Sequence, residues 1–574
     1  MELKKYDKGL ALVILASSFI KFIAHLFNYV FYNGYFIVNG LNRAYDVPQH
    51  LVYTMEILRG EWPFQNPLAV GFSIDYPIGL PLLIAVLVGI TGAPVLHIFR
   101  FFPVVLNIFV GLTSYVMVSS LCKSKRIGFY ATFFIIFSGG FLWTTEFFPI
   151  LREFWTLYKY LRIEDSFYAA SISANLFRPL SRTFGFGLFC FYLYFLNLFL
   201  ESNRTKLIFI NGILLGILLN TSPGMAFVLF ILSIIALLHF NITSSNILKY
   251  LLIIGLVSLS SSPLLFQLVV GFSKGEGLLS LLSHGWRYLS PVFYPSFFGI
   301  AFLFMVLGVF SYSMENKTRN FLLLWLAMAL LLANLVPVGI ALQTHTFTLL
   351  LNIPVYIFSS LGLIKILELD LSKYQSNWLI KKLETARTPS FFNINTLKRY
   401  IVTLLLISCC ISPLFQFVYN LGYEKNMLVE EQEYNALIWL RENIDENAVF
   451  LTFHYINIEK SKISGTYARA GRGHSLVTTI GERRVLLNLR AVFLSKGMDH
   501  NETMRLAADI DFIYTSNDLQ ESIHLLESYS VKCIYVGPDE QERYSVAIHK
   551  FENQKYFESV YLNNLVTIYE LKTT

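Results

Sequence analysis

The stretch Pro77-Ile78-Gly79-Leu80-Pro81-Leu82-Leu83-Ile84-Ala85-Val86-Leu87-Val88-Gly89-Ile90 is apolar from end to end. At about 14 residues it is too short for a helix that crosses the hydrocarbon core, which needs roughly 20. It is read as a segment that lies flat or re-enters, and that reading fixes the direction of the chain downstream. The next apolar stretch, from about Val95 to Leu121, is long enough to cross and runs inward. It delivers the basic cluster Lys123-Ser124-Lys125-Arg126 to the cytoplasm. If Pro77 to Ile90 crossed as well, that cluster would face outward, against the bias of Lys and Arg toward cytoplasmic loops.

Working upstream, the first apolar segment spans about Leu10 to Tyr32 and follows Lys4, Lys5 and Lys8 without a small-residue cleavage site, so it reads as a retained anchor. The lysines place the N-terminus in the cytoplasm and the segment from about Tyr35 to Tyr76 outside. Downstream, further spans are expected at about Ile127 to Thr145, Ser173 to Leu200, Leu207 to Asn220, Met225 to Phe240, Tyr250 to Val270, Pro291 to Tyr312, Phe321 to Val336, Phe347 to Leu367 and Tyr400 to Tyr419. The total is about eleven, which puts Arg204 and Lys206, Lys249, Lys317 and Arg319, and the basic linker Lys373 to Arg399 on the cytoplasmic side and the C-terminus outside. The composition demands such a bundle. Of 574 residues, 55% are hydrophobic and 14% charged, with a mean hydropathy of +0.54, more apolar surface than a single soluble core could bury. The net charge of +7 sits mostly in the short joints between spans, so nucleic acid is discounted as a partner. The five cysteines lie mostly inside apolar stretches without metal-ligand spacing, and neither a disulfide framework nor a structural zinc is supported.

From about Glu424 the composition turns mixed and polar. A helical pattern (Tyr434, Leu437, Ile438, Leu440) precedes β-rich runs at Ala448 to Phe453, Cys533 to Val536 and Leu565 to Leu571. The expected fold class is thus a mostly α polytopic helical bundle over residues 1–422 with a C-terminal extracytoplasmic soluble α/β domain over 423–574. Within the bundle, external loop 1 covers about 33–94, external loop 2 about 146–172 and a cytoplasmic linker about 368–399.

The chemistry is sought in the external loops. Asp46 stands in Ala44-Tyr45-Asp46-Val47-Pro48-Gln49-His50-Leu51, where about Pro48 to Arg59 reads as an amphipathic interfacial helix on Leu51, Met55 and Leu58, stopped by Gly60. A carboxylate there could take the proton of a sugar hydroxyl as it attacks. The competing role, a helix N-cap, is compatible with it. In the second loop Glu146, Glu164 and Asp165 could orient an acceptor or bind a divalent cation, Mg or Mn, or simply form a solvated face. Arg178 and Arg182, about one turn apart, could grip a phosphate through paired hydrogen bonds, as could Arg287 and His345. Snorkelling to lipid headgroups explains Arg178 and Arg182, which open the span after the second loop, equally well. The run Arg469-Ala470-Gly471-Arg472-Gly473-His474 lacks the strand-to-helix setting of a phosphate loop, and Asn501-Glu502-Thr503 is a glycosylation sequon.

Asp46-Val47-Pro48-Gln49-His50-Leu51, then Tyr76-Pro77-Ile78-Gly79-Leu80-Pro81 with its Y-P-x-G-x-P pattern, and the acidic second loop resemble the GT-C superfamily of glycosyltransferases, over roughly Met1 to Asn220. The resemblance implies a multispanning enzyme that uses a polyprenyl-phosphate-linked sugar, with the first-loop acid as base, two interfacial helices before the second span and basic residues on the lipid phosphate. The C-terminal segments Asp509-Ile510-Asp511-Phe512-Ile513-Tyr514, Ile534-Tyr535-Val536-Gly537, Glu542-Arg543-Tyr544 and Val566-Thr567-Ile568-Tyr569 look like the exterior module of archaeal multispanning proteins. Three departures stand out. The usual paired acids reduce to Asp46 alone, which leaves metal dependence open. No W-W-D-Y-G run occurs, which argues against an oligosaccharyltransferase. Ser222-Pro223 replaces the His-Pro of many relatives.

The expected function is an inverting transfer of a sugar from a polyprenyl (dolichyl or undecaprenyl) phosphate to a glycan, lipid or protein acceptor on the outer face of the cell membrane. Asp46 would be the base, with Glu164, Asp165 and Glu146 toward the acceptor or cation and Arg178, Arg182, Arg287 and His345 toward the lipid phosphate. The alternative is a multispanning transporter or lipid flippase, disfavoured because the spans are nearly free of charge and the acids cluster at one face.

Overall fold

A computed structural model describes residues 2–31, 46–60, 66–67, 69–70, 77–138, 181–240, 242–260, 293–311, 314–334, 344–369, 394–423, 429–453, 476–488, 500–544 and 548–572. The N-terminal helices are α1 (Glu2–Phe31), α2 (Asp46–Arg59), α3 (Gly79–Thr91), α4 (Val95–Leu121) and α5 (Lys125–Phe137). Next come α6 (Ser181–Ser202), α7 (Thr205–Thr221), α8 (Pro223–His239), α9 (Ser244–Ser260), α10 (Phe293–Phe298), α11 (Ile300–Val309), α12 (Asn316–Ala333), α13 (Thr344–Glu368) and α14 (Ile394–Tyr423). Contacts divide the chain into two compact units, Met1–Phe22 with Pro103–Tyr419, and Ile23–Phe102 with Asn420–Thr574. Residues 23–102 therefore belong with the C-terminal segment.

The first unit is a helical bundle. Among the described residues, three helices are long and apolar enough to cross a membrane: Val95–Leu121, Ser181–Ser202 and Phe347–Glu368. The expected span from Pro291 to Tyr312 is instead two helices, α10 and α11. Gly299 between them takes φ +56°, a left-handed geometry that interrupts the helical ladder and that glycine adopts without a Cβ penalty. α11 packs backbone to backbone on α13: a Cβ on Gly308 would fall 1.7 Å from the Phe358 carbonyl oxygen, and one on Gly362 1.9 Å from that of Phe304. Small residues allow this approach, and Ser359 Oγ bridges the seam to the Ala301 carbonyl at 2.6 Å. Polar side chains inside the bundle find partners in each other. The Tyr192 hydroxyl lies 2.8 Å from both Ser233 Oγ and the Tyr250 hydroxyl, which accepts from Asn211 at 3.2 Å. Asn107 Nδ2 donates to Ser17 Oγ and Ser18 Oγ at 2.6 and 2.7 Å.

In the second unit, α3 matches the short apolar segment and ends at Gly92, which takes φ +65° and donates its N–H to the Val88 carbonyl at 2.8 Å. Its Leu82, Val86 and Ile90 form an exposed apolar stripe at i, i+4 spacing, while Leu80, Ile84 and Ala85 are buried. The C-terminal part opens with α15 (Glu431–Asn443), then β1 (Val449–Leu451), α16 (Leu476–Thr479), β2 (Arg484–Val485), α17 (His500–Thr515), α18 (Leu519–Ser528), β3 (Val531–Val536), α19 (Pro538–Tyr544), β4 (Phe557–Leu562) and β5 (Thr567–Leu571). The strands form one mixed sheet in the order β2-β1-β3-β5-β4, parallel across β2, β1 and β3 and antiparallel beyond. The expected strands at 533–536 and 565–571 correspond to β3 and β5, whereas β2 and β4 carry no sequence signal strong enough to be read. The Asp509–Tyr514 and Glu542–Tyr544 segments meet: the Tyr514 and Tyr544 rings stack 4.4 Å apart, and the Tyr544 hydroxyl donates to Asp511 at 2.6 Å.

Candidate functional site

Asp46 is the first residue of α2, with Pro48 in the first turn, where a missing N–H costs nothing because that position has no intrahelical acceptor. Gly60, at φ +77°, follows the last turn and donates to the Ile57 carbonyl at 3.1 Å. The element expected on Leu51 and Met55 is therefore present, but its setting differs. Instead of presenting a solvated polar face, α2 is buried from Gln49 through Glu56, including the polar Gln49, His50, Thr54 and Glu56. Protein packs around the helix, so its polar side chains are held by partners. Gln49 donates to the Tyr53 hydroxyl at 2.8 Å, and Thr54 Oγ1 to the His50 carbonyl at 2.7 Å and to the Pro81 carbonyl at the head of α3 at 3.4 Å.

At the C-terminal end of α2 stands a buried ionic knot. Glu56, with no exposed surface, accepts from Arg484 on β2 through both oxygens, Nη2 to Oε1 at 2.5 Å and Nε to Oε2 at 3.4 Å. Arg59, one turn on, donates to Glu56 Oε2 at 2.7 Å and to the Glu482 carbonyl at 2.5 Å. A carboxylate taken out of water is tolerated only with charged partners on both oxygens, and here two guanidinium groups supply them. Glu482 itself adopts φ +52°, a strained geometry for a residue with a Cβ. Its carbonyl serves Arg59 and, at 3.1 Å, Arg483, while its carboxylate faces Arg441 at 3.4 Å. Arg483 further donates to the carbonyls of Arg441 at 2.6 Å and Ile444 at 2.5 Å, closing the end of α15, and burial among these groups pulls its pKa down. Past α2, the chain also joins the sheet. Pro67 accepts the Val485 N–H at 3.0 Å and Ala69 forms an antiparallel bridge with Leu487, beside the edge strand β2.

Of the other expected site residues, Arg182 lies in the first turn of α6, half-buried, and His345 in the first turn of α13. Glu146, Glu164, Asp165, Arg178 and Arg287 lie outside the described residues, as does the run from Arg469 to His474; Asn501-Glu502-Thr503 falls in the first turn of α17. Glu56, Arg59, Glu482 and Arg484 were not singled out from sequence. The signal available was two adjacent arginines leading into an apolar run, and nothing local pairs a glutamate with an arginine 428 positions away.

No family model and no curated protein matches the sequence, but solved structures resemble the fold over most of its length. The arabinofuranosyltransferase AftD from Mycobacteria aligns with a TM-score of 0.53 at 12% identity, over 98% of this chain and 40% of that one. The Archaeoglobus fulgidus oligosaccharyltransferase aligns at 0.52 and 13% identity, over 93% of this chain and 70% of that one; it is also solved with an inhibitory peptide and a dolichol-phosphate. ArnT from Cupriavidus metallidurans bound to undecaprenyl phosphate aligns at 0.51 and 9% identity over 97% of both chains. The chain has the GT-C glycosyltransferase fold. The GT-C fold accounts for the helical membrane bundle joined to a small C-terminal sheet.

Proposed function

We propose that the chain is an integral membrane glycosyltransferase that moves a sugar from a polyprenyl phosphate, dolichyl or undecaprenyl, to an acceptor on the outer face. The observation that carries this reading is the likeness to ArnT with undecaprenyl phosphate over 97% of both chains, and the dolichol-phosphate complex of the oligosaccharyltransferase supports the same donor class. That likeness to transferases favours the reading over a transporter or flippase.

In the proposed displacement an acceptor hydroxyl oxygen attacks the anomeric carbon as the bond from that carbon to the phosphate oxygen breaks. The sugar inverts, the polyprenyl phosphate leaves with the electron pair, and the Asp46 carboxylate takes the hydroxyl proton. Electrostatic stabilisation of the leaving phosphate carries much of the rate, and Arg178, Arg182, Arg287 and His345 are its proposed cationic partners. Glu146, Glu164 and Asp165 are proposed acceptor contacts or ligands of a divalent cation. The proposed topology keeps about eleven spans, a cytoplasmic N-terminus and residues 423–574 outside the cell, the arrangement that leaves the basic joints in the cytoplasm. An archaeal-type host and a hexosyl or pentosyl donor belong to the same proposal.

The test is transfer from a radiolabelled panel of polyprenyl-phosphate sugars by purified protein in detergent. Asp46→Asn, matched for folding, is expected to lower kcat by roughly 100- to 10,000-fold. Transfer at the wild-type rate by that variant would remove Asp46 from the role of base, and movement of lipid or solute in liposomes without any transfer would replace the transferase reading.

A further inference from the structure

We infer that the C-terminal sheet acts on the proposed reaction by aiming α2, with Glu56, Arg59 and Arg484 as positioning residues for Asp46. The inference rests on the proposed function above, and it begins from rigidity. A helix is a stiff rod rising 1.5 Å per residue, so Asp46 lies about 15 Å along the axis from Glu56. A tilt of only about 4° about the Glu56 end moves the Asp46 end by about 1 Å, and a misplacement of that size costs on the order of 100-fold in rate. Whatever fixes the far end of α2 therefore fixes the acid.

Three attachments do so, all within the unit that holds both the first loop and the C-terminal segment. The fork of Arg484 on Glu56 sets rotation and height, because both carboxylate oxygens are engaged from one rigid guanidinium on an edge strand. The second guanidinium, Arg59, ties the same carboxylate to the strained Glu482 turn. The chain after the helix then pairs with the sheet edge at Pro67 and Ala69, a third tie between that chain and the sheet. A carboxylate with no exposed surface and a partner arginine at 7% exposure is costly to assemble, and such buried pairs contribute specificity of geometry more than stability. A strained left-handed glutamate whose carbonyl receives two guanidinium groups belongs to the same pattern. The sheet's apolar core around Ile510, Ile534 and Phe551 also takes in Ala69 from the chain after α2.

The experiment compares wild type with Glu56→Gln/Arg484→Gln, which removes the forked ion pair and leaves Arg59 its hydrogen bond to the Glu482 carbonyl. Hydrogen exchange of the amides at 50–55, the first in α2 with intrahelical acceptors, is expected to quicken at least tenfold while the amides of β3 and β5 keep their protection. The rate of sugar transfer is expected to fall about 10- to 100-fold at an unchanged donor KM. The decisive readout is a cycle with Asp46→Asn. Added to the double variant, it should lower the rate by a much smaller factor than in wild type, because an acid already out of place contributes little. A merely structural role for the pair would leave the two factors equal, and that result, or wild-type exchange at 50–55, overturns the inference. If β3 and β5 also lose protection, Arg484→Lys, which keeps the charge but not the fork, takes the place of the double variant with the same criteria. Absence of transfer by the wild-type protein would sink the transferase reading alone, and the exchange measurement would still decide whether the sheet aims α2.

Discussion

Alanine at Gly308 drives a methyl group into the backbone of the facing helix. The added Cβ would lie 1.7 Å from the Phe358 carbonyl oxygen, while a relaxed carbon–oxygen contact is about 3.3 Å or longer, so α11 and α13 must part by roughly 1.5 Å. Opening a packed seam by even ~1 Å forfeits a quarter to a half of each dispersion contact across it. The Ser359 to Ala301 hydrogen bond, 2.6 Å in the native seam, would stretch beyond bonding range as well. Together these place the cost at roughly 3 kcal/mol, near the upper end for overpacked cores. In differential scanning fluorimetry of the detergent-solubilised protein this is expected as a fall in Tm of about 5 °C. Gly362→Ala, whose Cβ would meet the Phe304 carbonyl oxygen at 1.9 Å, should do the same. The pair should be strongly non-additive, because the first alanine already opens the gap that the second needs. An unchanged Tm for either single variant, or a double variant whose shift equals the sum of the singles, would refute the close seam.

Two further outcomes follow from the C-terminal part. Glu540, buried at the head of α19 and accepting the N–H groups of Phe453 and Gly537 at 3.0 Å each, has its carboxyl pushed up to about 8 by that burial. Between the ordinary value of 4.5 and about 8 the folded chain holds a proton that the unfolded chain releases, so stability is fully present below 4.5 and declines as pH rises, by up to about 1.4 kcal/mol per unit. Glu540→Gln copies the protonated form and should gain Tm relative to wild type steadily from pH 5 to about 8 and then level off; parallel pH profiles would count against a buried proton. Arg483→Lys keeps the charge but not the fork that closes α15, and should cost roughly 2 kcal/mol or more and quicken hydrogen exchange at 440–444. Wild-type protection there would show that the carbonyls do not depend on the guanidinium.

Hydropathy alone made the bundle legible where an element is long and uniform. α4 has the bounds Val95 and Leu121 read from the apolar run, and the segment judged too short to cross is a thirteen-residue helix closed by a left-handed glycine. The reading failed where local conformation overrides composition. The run from Pro291 to Tyr312 is apolar throughout, yet Gly299 splits it, because hydropathy does not register a backbone that turns left-handed. It failed again at β2, whose two residues are a strand only because β1 pairs beside them.

The proposed base, Asp46, was visible in the sequence because a lone carboxylate ahead of Pro48, between apolar segments, is locally odd. Its support was not. Glu56 and Arg59, at i and i+3 on a short helix, look like an ordinary exposed pair, and such pairs contribute little. Their meaning changes only because Arg484 arrives from 428 residues away and the three groups are buried together. One local hint existed: Arg483-Arg484 leads straight into the apolar Val485-Leu486-Leu487, and cations beside a buried run require partners that the run itself lacks. The first loop and the last 155 residues thus form one folding unit, divided in sequence by the spans but joined through charge and strand pairing. On the proposed function, the C-terminal segment need not touch substrate to matter, since the stiffness of a single helix carries its geometry to Asp46.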